Sequence, residues 1–185
     1  SGPTMLRSLA GLIMVAIGLY IGGWWPGFSR VERIDVEGTS DMLEAVRAEP
    51  GDIFIGCAAV SDYRPVATAP EKIKKQADRL SIELVRNPDI LATVAALPQA
   101  PFTVGFAAET EQLETYARDK LVAKGLDMIA ANWVGERAGS GGFGSAENAL
   151  QLFWDGGGQT LELTSKTELA RQLLEVIAER YLDAQ

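Results

Sequence analysis

The chain has 185 residues, 47% of them hydrophobic and 23% charged, with a formal net charge of −8. That length suits one domain with a real core, and that charge argues against a nucleic-acid surface unless the 17 Lys and Arg cluster strongly. Histidine is absent and Cys57 is the single cysteine, which excludes Ser-His-Asp and Cys-His catalysis, His-ligated metals, Cys-cluster zinc and an intrachain disulfide. Any chemistry must rest on lysines, carboxylates, amides and backbone dipoles.

Residues 8–29 carry no charge, and residues 9–25 (LAGLIMVAIGLYIGGWW) are almost wholly apolar. A bilayer-spanning helix needs roughly 20 such residues. Trp24 and Trp25 suit a membrane interface, and Gly18 and Gly22 form a GxxxG. Arg7, Arg30 and Arg33 flank both ends, so no orientation can be read. Two readings stand: a membrane anchor through residues 9–28, or a Gly-rich buried hairpin or sequence foreign to the domain. A secretory signal fits less well, because no clean small-x-small cleavage site follows.

From residue 31 the signals alternate. Residues 31–36 alternate apolar and charged and predict a strand. Residues 41–48 predict a short helix with Asp41 as N-cap and Glu44 three residues on. Residues 53–58 read as a buried strand, and residues 61–76, with two prolines and no apolar period, as a long loop. A strand is expected over 80–85. Asn87 as N-cap and Pro88 at the first helical position then open a helix to about residue 97. A strand over 102–107 and a helix over 111–124, stopped by Gly125, come next. Residues 126–131 predict another strand. Residues 149–154 and 160–164 form a β-hairpin around Asp155-Gly156-Gly157-Gly158. A Ser165–Glu168 capping box opens the closing helix, with Leu169, Leu173, Val176 and Ile177 on its apolar face. The alternation implies an α/β, Rossmann-like, mostly parallel sheet with helices on both faces and a late hairpin.

Several groups of residues could carry chemistry. Gly56-Cys57-Ala58-Ala59 ends a strand in very small side chains, with Asp62 and Arg64 just beyond. Such an end lets another backbone or a flat ligand approach, and open α/β sheets bind ligands at their carboxyl edges. Lys72, Lys74 and Lys75 crowd one loop and suit polyphosphate or a solvated charge cluster. Lys120 and Lys124 share a helix face, which reads first as a solvent-facing stripe. Asn87-Pro88-Asp89 places helix-start amides at a strand end, as an anion site or an ordinary cap. Asn132 directly follows a strand and fits a turn equally well. GSGGFG, residues 139–144, matches GxGxxG in letters but is followed by a hairpin strand, so a flexible loop is the better reading.

GCAAVSDYRP followed by APEKIKKQ, NPDILA, VGFAAET, YARDKL, LDMIAAN and NALQLFW closely resembles phosphopantothenate–cysteine ligase over residues 31–181. In most bacteria that enzyme is the carboxy-terminal domain of the bifunctional flavoprotein of coenzyme A biosynthesis. The resemblance implies a cytoplasmic, homodimeric enzyme that activates 4′-phosphopantothenate with CTP and Mg2+ to an acyl-cytidylate, which cysteine attacks. FMN would belong to the decarboxylase domain and not to this chain. Carried over residue by residue, it implies nucleotide contacts at Gly56, Cys57, Ala58, Asp62, Pro88, Asp89, Ile90, Leu91, Phe106, Lys120 and Lys124. It also implies a catalytic loop lysine at Lys72 and a substrate contact at Asn132.

Two departures accompany it. The family's first Gly-rich strand–turn and its ITN..SSG segment have no match here, so the resemblance implies a truncated ligase domain over residues 31–185. Residues 1–4 resemble the family's SGPT turn, yet 26 residues separate Thr4 from Val31 where the family has a short loop. Two other outcomes stay open: a CTP-binding, dimerising remnant without turnover, and a membrane-tethered interaction protein reusing the fold.

Overall fold

Among the described residues the core is built on one five-stranded sheet. The computed structural model describes residues 34–36, 38–49, 51–58, 60–67, 81–135 and 145–185. Helix α1 spans Thr39–Ala48, and β1 (Ile53–Gly56) is, among the described residues, an edge strand of the main sheet. Strands β2 (Tyr63–Pro65) and β3 (Leu84–Arg86) form a separate antiparallel ribbon. Then come α2 (Ile90–Ala95), β4 (Phe102–Glu109), α3 (Leu113–Lys124) and β5 (Met128–Trp133). Strands β6 (Glu147–Trp154) and β7 (Gly157–Ser165) lead into α4 (Lys166–Asp183).

Strands β1, β4 and β5 run parallel, with Gly56 opposite Gly105 and Glu109 opposite Trp133, so their carboxyl ends share one edge of the sheet. The hairpin β6–β7 adds two antiparallel strands beyond β5.

Period-two alternation sends neighbouring side chains to opposite faces. Met128, Ala130, Leu150 and Leu152 pack with Leu169, Leu173 and Ile177 of α4 on one face. Ile129, Ala131 and Phe153 pack with Leu113, Ala117 and Leu121 of α3 on the other. Strand β5 is buried over Met128–Asn132, as expected of a strand covered on both sides. Gly125, at φ +64°, ends α3 in the left-handed conformation its position predicts. The Ser165 hydroxyl caps α4 by accepting from the Glu168 N–H at 3.3 Å.

Four sequence expectations are revised. Residues 34–36 form no strand, and Ile34 and Val36 are exposed. Helix α1 is capped at Gly38 instead of Asp41; Asp41 lies at the third helical position and accepts from the Gly38 N–H at 3.1 Å. Residues 53–58 do not form one buried strand, because β1 ends at Gly56 and lies half-buried at the edge. Residues 63–65, expected in a loop, pair as β2; Pro65 is tolerated because, among the described residues, the ribbon has no further strand beyond β2. The apolar segment 9–28, the lysines of residues 72–75 and the GSGGFG run lie outside the described residues. Among the described residues no helix is long and apolar enough to cross a membrane.

Two features stand out for later. Asn148 is 3% exposed at a β-bulge between β6 and β7, and its Nδ2 has no hydrogen-bond partner among the described residues. Tyr63, Leu84 and Val85 leave the ribbon with an exposed apolar surface.

Candidate functional site

Beyond the carboxyl ends of β1 and β4 lies a cleft of about 160 Å³. Its floor is Phe54, Gly56 and Phe106 from the sheet; its walls are Met42 of α1, residues 60–62, and the segment from Arg86 to Leu91, with Lys124 closing one side.

The small strand end has a structural use that its letters alone do not disclose. A Cβ on Gly56 would stand 3.0 Å from Leu91 Cδ1, and one on Gly105 would stand 2.8 Å from Leu91 Cδ2. The two paired glycines therefore admit Leu91, which seats the start of α2 against the sheet. What rests on Gly56 is a leucine side chain, and the cleft opens beside it.

Asp89 organises the cleft wall. One carboxylate oxygen caps α2 by accepting from the Ala92 N–H at 3.0 Å, and the other takes Lys124 Nζ at 2.8 Å. One side chain thus ties the start of α2 to the end of α3. Burial works to raise the Asp89 pKa, but Lys124 and the Ala92 N–H outweigh it and hold the carboxyl below its usual range. The expected cap at Asn87 is therefore displaced to Asp89. With Asp89 occupying the cap, the Ala92 amide is already taken, which removes that donor from an anion site at this turn.

Asn87 instead fastens the two lips together. Its Oδ1 accepts from Arg64 Nη1 at 2.7 Å, its Nδ2 donates to Ser61 O at 2.7 Å, and its backbone N–H donates to Asp62 O at 2.7 Å. This network fixes the exposed Asp62 beside the segment leading to α2.

Of the sequence-selected residues, Gly56, Ala58, Asp62, Pro88, Asp89, Ile90, Leu91, Phe106 and Lys124 line the cleft together. Cys57 lies behind it, 3% exposed, its Sγ donating to Ile55 O at 3.6 Å. Burial pushes its thiol pKa up to about 12, so it stays protonated and is no nucleophile. Lys120 is not among the lining residues; its Nζ pairs with Glu109 at 2.6 Å. Asn132 is buried at the end of β5 and donates to Trp133 O at 3.0 Å, also away from the lining. Lys72 lies outside the described residues. Asn87, part of the Asn-Pro-Asp candidate, also lines the cleft, whereas Met42, Phe54, Val60, Ser61 and Arg86 were missed as lining residues. For Arg86 a signal existed, a lone cation directly before the Asn-Pro-Asp turn.

Among the described residues no group of three or more His, Cys, Asp or Glu could hold a metal. The cleft does contain the carboxylates of Asp62 and Asp89. One or two carboxylates suit a Mg2+ that arrives already bound to phosphates, not a dedicated protein cage.

Comparison with known proteins places this arrangement. Coenzyme A biosynthesis bifunctional protein CoaBC of Vibrio cholerae is 56% identical over 155 residues, covering 81% of this chain and 38% of that protein. The Escherichia coli K12 protein of the same name is 51% identical over 157 residues, covering 82% and 38%. The chain thus spans less than two fifths of the length of these curated relatives. A crystal structure of the C-terminal domain of CoaBC superposes with a TM-score of 0.62 at 35% identity, covering 81% of this chain and 66% of that one. A DNA/pantothenate metabolism flavoprotein from Streptococcus pneumoniae shares the fold, with a TM-score of 0.65 at 20% identity over 93% and 86% of the two chains. The family model described as DNA/pantothenate metabolism flavoprotein C-terminal domain matches residues 25–181, and the chain belongs to that family.

Proposed function

We propose that this chain is the ligase domain that joins 4′-phosphopantothenate to cysteine in coenzyme A biosynthesis, with CTP as the activating nucleotide. The observation that carries the reading is the convergence of nine sequence-selected nucleotide residues on one cleft at the carboxyl edge of the sheet. Ligands of open α/β sheets bind at that edge.

In the proposed first step the acyl substrate's carboxylate oxygen attacks the α-phosphorus of CTP, a P–O bond forms, and pyrophosphate leaves. In the second, the cysteine amine attacks the acyl carbon and CMP leaves with the electron pair of the broken C–O bond. Both partners of the first step are anions, so positioned cations contribute most of the rate enhancement, and no histidine is needed. Asp62 would hold Mg2+ with the phosphates, where the ion supplies charge neutralisation. Phe106 and the 88–91 segment would flank the nucleoside, and Lys72 would meet the reacting phosphate. Lys120 joins the nucleotide set by releasing Glu109, and Asn132 contacts the acyl substrate.

Cytoplasmic location and a homodimer belong to the same proposal. The dimer draws support from the uncovered apolar side chains of Tyr63, Leu84 and Val85 on the ribbon and Leu163 on β7, and light scattering reads it.

Calorimetry with CTP and Mg2+, run beside an assay for phosphopantothenoylcysteine, tests the reading. For residues 1–185 alone we expect CTP binding with little product, because no segment matches the family's Gly-rich turn or ITN..SSG stretch. Misplacing one positioning group costs roughly 100-fold. Joined to those segments, the chain should turn over, and Lys72→Gln should abolish pyrophosphate release. Absence of CTP binding at millimolar ligand overturns the proposal.

A further inference from the structure

Among the described residues, the two lysines near the cleft are ion-paired and Arg64 is engaged by hydrogen bonds. Lys124 is held by Asp89 at 2.8 Å, and Lys120 by Glu109 at 2.6 Å outside the lining. Arg64 spends its Nη1 on Asn87 Oδ1 and Arg86 O. One lining cation differs. Arg86 stands on β3 with its backbone fixed by pairing to Tyr63, and its guanidinium makes no ion pair among the described residues. Its charge reaches Asp89, where it helps to lower that carboxyl's pKa.

Asp62 comes one residue before Tyr63, the cross-strand partner of Arg86. The hydrogen bond from Asn87 N to Asp62 O holds the two lips 2.7 Å apart at that point. The cleft therefore offers a guanidinium with no ion pair among the described residues and an exposed carboxylate, Arg86 on β3 and Asp62 just before its partner strand β2. A magnesium polyphosphate is complementary to that pair: the carboxylate suits the cation, and the planar fork of Arg suits two phosphate oxygens at once.

We propose that Arg86 is the residue that anchors the polyphosphate of the nucleotide in this cleft. The inference rests on the nucleotide reading above and adds a residue to it. Arg86 supplies charge without first breaking an ion pair, whereas Lys124 must leave Asp89 to do so. Of the two described lining cations, that difference makes Arg86 the readier contact for an arriving polyphosphate.

The test uses Arg86→Gln and Arg86→Lys in residues 1–185, with Mg2+ present throughout. Calorimetry compares CTP, inorganic tripolyphosphate and cytidine. Arg86→Gln should weaken CTP and tripolyphosphate by roughly 10- to 100-fold, the value of a charged hydrogen-bond pair, with cytidine changed by less than about twofold. Arg86→Lys should recover part of the loss, because the charge returns without the fork. Arg86 is exposed, so far-UV circular dichroism and the thermal midpoint should match the parent in both variants. Affinities for CTP and tripolyphosphate within about twofold of the parent in Arg86→Gln overturn the inference. Tripolyphosphate binding that depends on Arg86 without any CTP preference supports it while rejecting the cytidine nucleotide. CTP binding that ignores Arg86 does the reverse. Failure of the parent to bind either ligand overturns both.

Discussion

Cys57 shows how a residue chosen for chemistry can turn out to act on stability. Its letter stands beside the cleft, but burial lifts its thiol from 9.0 to about 12 in the folded protein. The folded state then holds this proton more tightly than the unfolded chain does. The resulting stabilisation is complete below pH 9 and is lost as pH rises from 9 toward 12. The loss amounts to up to about 4 kcal/mol. In urea unfolding, the parent should therefore lose stability faster than Cys57→Ala across that window, after an initial deficit of the variant at neutral pH from the cavity. Parallel pH profiles would remove the buried thiol from the account. Sequence carried the identity of this residue and its nearness to the site, and not its depth, which depends on how α2 closes over the strand end. Lys120 was read on the same footing as Lys124. Only the fold distinguishes them, because Glu109 reaches one and Asp89 the other.

At the scale of elements, legibility follows the length and period of the pattern. The β6–β7 hairpin and α4 were readable because alternation, a glycine turn and a capping box agree over dozens of residues. Strand β2 was not, since three residues including a proline carry no period and pair with residues 19 to 23 positions away. The α2 cap was misplaced by two residues because Asn87 is engaged by Arg64 and Ser61, and Asp89 then serves the helix. Packing of α2 on the sheet yields its own prediction. A Cβ on Gly105 would come within 2.7 Å of Leu126 Cδ1 and 2.8 Å of Leu91 Cδ2. Gly105→Ala should destabilise the fold by about 1–3 kcal/mol and push Leu91 outward. The same displacement moves Asp89 away from Lys124, so nucleotide binding should weaken more than unfolding alone accounts for. Equilibrium denaturation with calorimetry on the still-folded variant separates the two effects.

Across the whole molecule, the order of alternating elements was enough to place the sheet, its covered faces and the carboxyl edge at which the cleft lies. Which charges stay free on that edge was not readable, because ion pairing depends on distances between segments far apart in sequence. The bulge where β6 meets β7 leaves one further mark. Asn148 keeps an amide nitrogen out of water with no partner among the described residues, a loss of about 1–3 kcal/mol that an apolar residue of similar shape avoids. Asn148→Leu should raise the thermal midpoint, and a lowered midpoint would mean that the amide is satisfied in solution. A natural sequence retains such a flaw under ordinary selection only where removing it brings no advantage or sacrifices something useful. Comparing CTP binding by the hardened variant with that of the parent would tell whether this position is idle reserve for thermostabilisation or the toll of a working part.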